Sequence, residues 1–360
     1  VDDRQINLSR FPIRFPEKRD FFLEGANIYQ FAPRSGVYPY FSRKIGLQSG
    51  NPVPILFGGR IIGKIGKVEV AAQQVKTRET SSLNSEDFSV IRLKQNFWKE
   101  SSVGVLYTRR HTSKGNEINP PLPDRNTLGV DLTLNTSTFL KNQNLQFQAF
   151  AIFHNPNTLN EINNSIWDRS ARGIRINFPN DPWSGSLSYR EFGNWYDPAV
   201  GFSRRNSFRR VEPRIRFSPL IEKSSVIREL QWEISFENLM SLDWKRLTQN
   251  IRLTPLSIRF ESGDEISYQI IKNFESLESD FNILGDNSII IPTGDYSNWK
   301  HQIEFETANH RKVVYEIELN TEGFWSGNRT EYENTLTLRP FSGMNLSLGY
   351  IHSNVKLSEG

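Results

Sequence analysis

Leu128-Gly129-Val130-Asp131-Leu132-Thr133-Leu134-Asn135 places an aliphatic side chain at every second position and a small or polar one between. Successive side chains of a strand point to opposite faces, so this stretch has one apolar face and one polar face. The same period recurs along the chain. Leu145, Phe147, Ala149, Ala151 and Phe153 alternate mostly with glutamine, and Ile174, Ile176 and Phe178 enclose Arg175 and Asn177. Val211, Ile215 and Phe217 stand against Arg210, Glu212, Arg214 and Arg216. Leu230, Trp232, Ile234 and Phe236 stand against Gln231, Glu233, Ser235 and Glu237. Tyr315, Ile317 and Leu319 stand against Glu316, Glu318 and Asn320, and Leu346, Leu348 and Tyr350 continue the pattern. From about Val53 onward the chain therefore reads as half-buried strands, and no stretch carries a helical period.

The repeat length predicts roughly 16–18 strands, each with the ten or so residues of a membrane strand plus its connection. Strands of soluble sandwiches are shorter, about five or six residues. The connections carry more information. Short turns fall at 66–67, 99–101, 180–182, 262–263, 309–311 and 341–343. Longer polar loops fall at 113–124, 155–169, 195–205 and 275–298. Short and long alternate, with 219–227 and 326–328 as exceptions. This parity is expected of an outer-membrane barrel, where one rim is trimmed and the other carries loops. Aromatics gather near strand ends, at Phe97-Trp98, Trp183, Trp195-Tyr196, Trp244, Tyr296, Trp299 and Phe324-Trp325, as interfacial girdles require. Trp232, in mid-strand, falls outside that pattern. The fold class is thus all-β, a membrane-type antiparallel up-and-down barrel over 53–360, behind an N-terminal linker or plug segment at 1–52. Parity also predicts an outward strand at Val37–Ile45 and at least one further strand after Gly360, so that the barrel is incomplete at its C-terminus.

Composition permits this reading. The 360 residues are 37% hydrophobic and 23% charged, and mean hydropathy is −0.53. A membrane barrel keeps average hydropathy low because only alternate residues face lipid. The absence of cysteine removes disulfides, thiolate metal sites and a cysteine nucleophile. A net charge of +4 with no basic tract gives nothing for nucleic acid to bind.

The segment 1–52 differs in character. It contains Arg4-Gln5-Ile6-Asn7-Leu8-Ser9-Arg10-Phe11, then Phe15-Pro16-Glu17-Lys18-Arg19-Asp20-Phe21-Phe22-Leu23-Glu24-Gly25, then Phe41-Ser42-Arg43-Lys44-Ile45-Gly46. With the spaced glycines of 58–66 and Asp197-Pro198-Ala199-Val200-Gly201-Phe202, these runs resemble a large envelope family of Bacteroidota and related bacteria whose function is unknown. The resemblance covers 1–110 well and the remainder by pattern; Asp20 stands where the family has proline. It implies an outer-membrane barrel preceded by a domain similar to family 9 carbohydrate-binding modules. That domain would lie before Val1, so any sugar-binding role would come from outside this chain. The cluster of Glu17, Lys18, Arg19, Glu24 and Arg43 then has two readings: a plug or periplasmic mouth that contacts a ligand, or an ion-paired linker that fixes the preceding domain. The structural reading is preferred, because charges inside a lumen must be paired or wet.

Carboxylates recur in pairs along single strands: Glu233 with Glu237, Glu304 with Glu306, Glu316 with Glu318, Glu331 with Glu333. Residues two apart on a strand are about 7 Å apart, within the range of an inverting glycosidase. A catalytic pair would be singular, so the repetition favours lumen-facing residues solvated with Arg175, Arg214 and Arg216. The histidines, His111, His154, His301, His310 and His352, show no zinc spacing, and no Ser-His pair has an acidic orienter. Asp280, Asp286 and Asp295 with Asn282 and Asn287 offer oxygens to Ca²⁺ on a loop, or are ordinary loop polarity. Gly58, Gly59, Gly63 and Gly66 lie in a strand pattern with no following helix, which argues for close strand packing over a phosphate loop.

The sequence therefore predicts a non-enzymatic protein of the bacterial outer membrane, without cofactor. Its leading function is a pore or uptake component for saccharides or other solutes. One alternative is a non-transporting anchor or assembly component that binds polysaccharide or another envelope protein. The other is a soluble all-β carbohydrate-active protein. Membrane lipid is the expected partner, and nucleic acid is not one.

Overall fold

The computed structural model describes residues 11–48, 51–80, 83–113, 122–283 and 289–358. It is 62% strand and 4% helix. After a one-turn helix α1 (Asp20–Leu23), a 3-10 turn (Ser42–Lys44) and the minimal hairpin β1 (Leu47–Gln48) and β2 (Asn51–Pro52), the long strands begin. They are β3 (Ile55–Ile65), β4 (Val68–Thr77), β5 (Glu86–Phe97), β6 (Ser101–Thr112), β7 (Arg125–Phe139), β8 (Gln143–His154), β9 (Ser170–Pro179) and β10 (Trp183–Phe192). They continue as β11 (Phe208–Phe217), β12 (Ile227–Ser241), β13 (Arg246–Phe260) and β14 (Glu265–Leu277). A small pair, β15 (Phe281–Asn282) and β16 (Ile290–Ile291), precedes β17 (Gly294–Glu306), β18 (Val313–Phe324), β19 (Gly327–Leu338) and β20 (Leu346–Lys356).

Sixteen of these form one antiparallel up-and-down sheet in which chain order is spatial order, from β3 to β20 with β14 beside β17. Among the described residues, the two end strands do not pair with each other. The tight connections at 66–67, 180–182 and around 98–100 fall where the sequence places them. So do the long ones at 155–169, 193–207 and 278–293. Most of the loop expected at 113–124 lies outside the described residues. A tight turn at 140–142, unmarked by the sequence pattern, is made by Leu140 and Lys141 with left-handed φ of 46° and 87°.

The chain divides into two compact units. The first comprises Phe11–Ile176 with Ser188–Arg209. Its sheet has an apolar exposed face and a buried face that mixes polar and apolar side chains. On β5, Ile91 and Leu93 are exposed while Val90 and Arg92 between them are buried. On β7, Leu128 and Val130 are 49% and 44% exposed, and Asp131 is 6% exposed. The buried face is covered not by a second sheet but by residues 11–48. Phe31 lies over Gly129, where a Cβ would come within 2.8 Å of its ring, and meets Phe150 edge-on. Phe21 covers Gly58, and Gly25 (φ +70°) sits under Ile62.

Val37–Ile45, expected as a strand, is not one. It makes a single bridge, Tyr38 to Phe202, and then turns at Ser42–Lys44. Pro39 offers no N–H to a ladder, and Gly36 and Gly46, with φ of +70° and +84°, bend the chain at both ends.

The second unit comprises Asn177–Leu187 with Arg210–Gly360. Its strands alternate likewise: Ile215, Trp232, Ile234, Leu253, Ile266, Ile303 and Tyr332 are all exposed. Trp232 sits within β12, as the sequence places it. It stacks on Phe217, which packs against Trp183. Tyr196, in the first unit, was expected at the interface but is 1% exposed.

Candidate functional site: the polar face and its N-terminal clasp

In the first unit the polar face is held by three groups of contacts. The deepest is Arg92 with Asp131, at 2.5 and 3.0 Å, whose side chains are 1% and 7% exposed. Asp131 also accepts from the Ala32 amide at 3.2 Å, and the Arg92 guanidinium lies 5.5 Å from the Phe31 ring centre. The carboxylate thus joins the strand wall to the segment crossing it.

The second group is the charged motif at 17–24. Glu17 accepts from Arg19 at 2.7 and 2.9 Å and from the Ser42 hydroxyl at 2.6 Å. Arg19 donates onward to the Ser42 and Ile45 carbonyls, each at 2.8 Å. Partial burial pushes the Glu17 carboxyl up, but the hydrogen bonds from Arg19 and Ser42 outweigh it and bring it down to about 2. Arg43 donates to the Pro16 carbonyl, and the Lys18 amide donates to Glu17. Glu24 pairs with Arg60 on β3, which also donates to the Phe21 and Glu24 carbonyls. The two N-terminal motifs are therefore halves of one clasp, with Glu17 paired to Arg19 and Glu24 to Arg60. The run from Arg4 to Arg10 lies outside the described residues.

The third group joins 197–202 to the same segment. Phe41 donates to the Val200 carbonyl at 2.7 Å, and Phe202 donates to that of Tyr38 at 2.8 Å. Gly201 is required there, since a Cβ would meet the Tyr38 carbonyl. Behind it, Arg125 makes a two-pronged pair with Glu161 at 2.7 and 3.1 Å, reaches Asp197 at 3.3 Å and lies 2.7 Å from His154 Nδ1. Nδ1 also lies 2.9 Å from the Asn155 carbonyl, and Nε2 lies 2.7 Å from the Trp195 carbonyl and 3.1 Å from the Asp197 amide. Burial pushes the Glu161 carboxyl up, the Arg125 and Asn157 donors pull it down, and the net shift is downward. Sequence reading missed Arg125, Glu161 and Arg92. Each is one charge in a loop or strand, and only the fold brings its partner within reach.

Arg175 lies on the polar side of β9 and lines a small cavity with Ser35, Gln148, Phe150, Ser188 and Arg190. The remaining predicted lumen residues belong to the second unit. Arg210 donates to Glu212 at 2.6 Å and pairs with Glu237 at 3.0 Å. Arg214 donates to Glu233 at 2.6 Å, and Arg216 donates to Ser184 at 3.1 Å. Glu304 sits opposite Glu318, and Glu306 opposite Glu316. Glu318 in turn faces Glu333, and Glu306 faces Glu265. The carboxylates form a ladder over four strands, with no pair set apart by a distinct partner. Asp280 accepts from the Thr293 amide and hydroxyl at 2.8 and 2.9 Å, a loop staple. Asp286 and Asn287 lie outside the described residues, and among the described residues no group of acids and histidines is arranged to hold a metal.

No family model, curated protein or solved structure matches the chain.

Proposed function

We propose that this chain is the membrane-embedded part of an outer-membrane β-barrel that admits or docks solutes along a charged lumen. The observation that carries the reading is the apolar outer face of the sheet. Ile, Leu and Val rows lie on the exposed face, while the enclosed face of the first unit mixes Arg92 and Asp131 with Val75, Phe88, Leu106 and Phe150. In water such rows expose a continuous apolar surface that soluble monomers avoid. In a bilayer they are the lipid contact. The motifs that resemble the Bacteroidota envelope family support the same location. In planar bilayers the purified protein is expected to raise conductance, more so when the clasp is loosened by Arg19→Ala. A heat-modifiable protein that never conducts, with or without that change, rejects the pore.

A second reading is favoured by the clasp itself. Residues 16–46 are tied to β3, β7 and the 197–202 loop strongly enough to hold a domain that precedes them. The barrel would then anchor a periplasmic module that binds polysaccharide or an envelope partner. Glycan-binding assays on the full-length protein separate this from transport.

A further inference from the structure

Strand arginines of the second unit commonly have a carboxylate: Arg210 with Glu237, Arg214 with Glu233, Arg259 with Glu265, Arg329 with Glu322. Arg246 and Lys272 have none among the described residues. Each is instead stacked on an aromatic ring. The Arg246 guanidinium is 3.7 Å from the Phe274 ring centre, and Lys272 Nζ is 5.4 Å from that of Trp299. Cross-strand register puts Lys272 opposite Trp299, and from there the apolar face runs on through Ile270 with His301, Tyr268 with Ile303 and Ile266 with Phe305. The two cations thus stand near the strand ends that carry loop 278–293, and aliphatics continue toward the strand middles. Exposed Trp244 flanks them at the 242–245 turn. Asp295, on the same side of β17 as Trp299, is four register positions from Lys272.

An unneutralised pair of cations at the head of an apolar track has the charge and shape of a lipid headgroup site. We propose that Arg246 and Lys272 bind the phosphate of an anionic membrane lipid, whose acyl chains run along Ile303 and Ile266. The inference rests on the membrane reading. Ring stacking holds both cations in place, and a weakly hydrated guanidinium suits phosphate oxygens.

The test is native mass spectrometry of the full chain, delipidated and then titrated with phosphatidylglycerol or phosphatidylcholine in detergent. The wild type is expected to retain phosphatidylglycerol preferentially. The R246Q/K272Q double variant is expected to bind it about 30-fold more weakly, each basic group at an anionic surface contributing about fivefold. The R246K/K272R variant, which keeps both charges, is expected to retain it, and this guards against a mere folding defect. Equal retention by wild type and R246Q/K272Q overturns the proposal, as does equal displacement of the lipid by millimolar inorganic phosphate. A chain soluble without detergent and lacking a heat-modifiable band removes the membrane reading instead. A heat-modifiable chain with no preference for phosphatidylglycerol removes only this inference.

Discussion

Arg92 on β5 and Asp131 on β7 meet across an intervening strand, through the gap left by Gly104 on β6. A Cβ at Gly104 would come within 2.6 Å of Arg92 Nη1 and 2.7 Å of Asp131 Oδ1. The pair spans two ladder spacings because that side chain is missing. Asp131→Ala leaves a buried guanidinium unpaired and is expected to cost about 3–5 kcal/mol. Gly104→Val, which wedges the pair apart, is expected to cost about 1–3 kcal/mol. Urea unfolding in lipid vesicles measures both, and an Arg92→Met/Asp131→Leu double variant should recover most of the loss.

The Glu17 clasp sets an acid limit. Its carboxyl is at about 2 when folded and near 4.5 when free. The unfolded chain therefore binds more protons between those values, and stability rises with pH across that window. The contribution is present above about pH 4.5 and is lost as pH falls through about 2. With Arg19 partly in solvent, the size is about 1–2 kcal/mol. Melting of the wild type should steepen below pH 4.5, whereas Glu17→Gln should be lower at neutral pH and flatter in acid. Parallel curves for the two proteins would exclude the clasp.

The exposed apolar face gives a test that separates lipid from water. Val130 is 44% exposed. On a lipid-facing surface Val130→Arg is expected to cost about 2–4 kcal/mol near the bilayer middle. On a water-facing surface the same change stays within about 0.5 kcal/mol. Folding yield into vesicles, read from heat-modifiable mobility, distinguishes the two.

Arg125 joins loop residues Glu161 and Asp197 to a strand end. Arg125→Met leaves Glu161 charged and enclosed without its partner, at an expected cost of about 3 kcal/mol. Both loops, 155–169 and 193–207, should then be nicked faster by a broad-specificity protease, while the tight turns at 66–67 and 180–182 stay intact. Glu161→Gln should give a milder version of the same pattern.

The strands were legible because alternation is a local property: Leu128 to Asn135 announces its two faces without help from the rest of the chain. Turn parity was legible for the same reason. Val37–Ile45 misled because its backbone bonds go to Val200 and Phe202, far along the chain, and not to a neighbouring strand. Tyr196 was misplaced because the depth of a loop residue is set by tertiary packing. The clasp was visible as motifs whose purpose was not. Nothing in Glu17 or Arg19 announces that Ser42 and Ile45 complete them. Arg92 and Asp131, thirty-nine residues apart, carry no signal until β6 is laid between them.

Ser35 takes its bond from Arg190, 155 residues later, and Tyr38 takes its own from Phe202. Residues 35–38 thus settle late, because their docking partners arrive only after eight long strands, β3 to β10, have been made. Closing such large loops is slow. Until then a Phe-rich stretch must be kept from sticking to itself or to its neighbours. A chaperone that holds this stretch would have to stay bound until Arg190 and Phe202 appear.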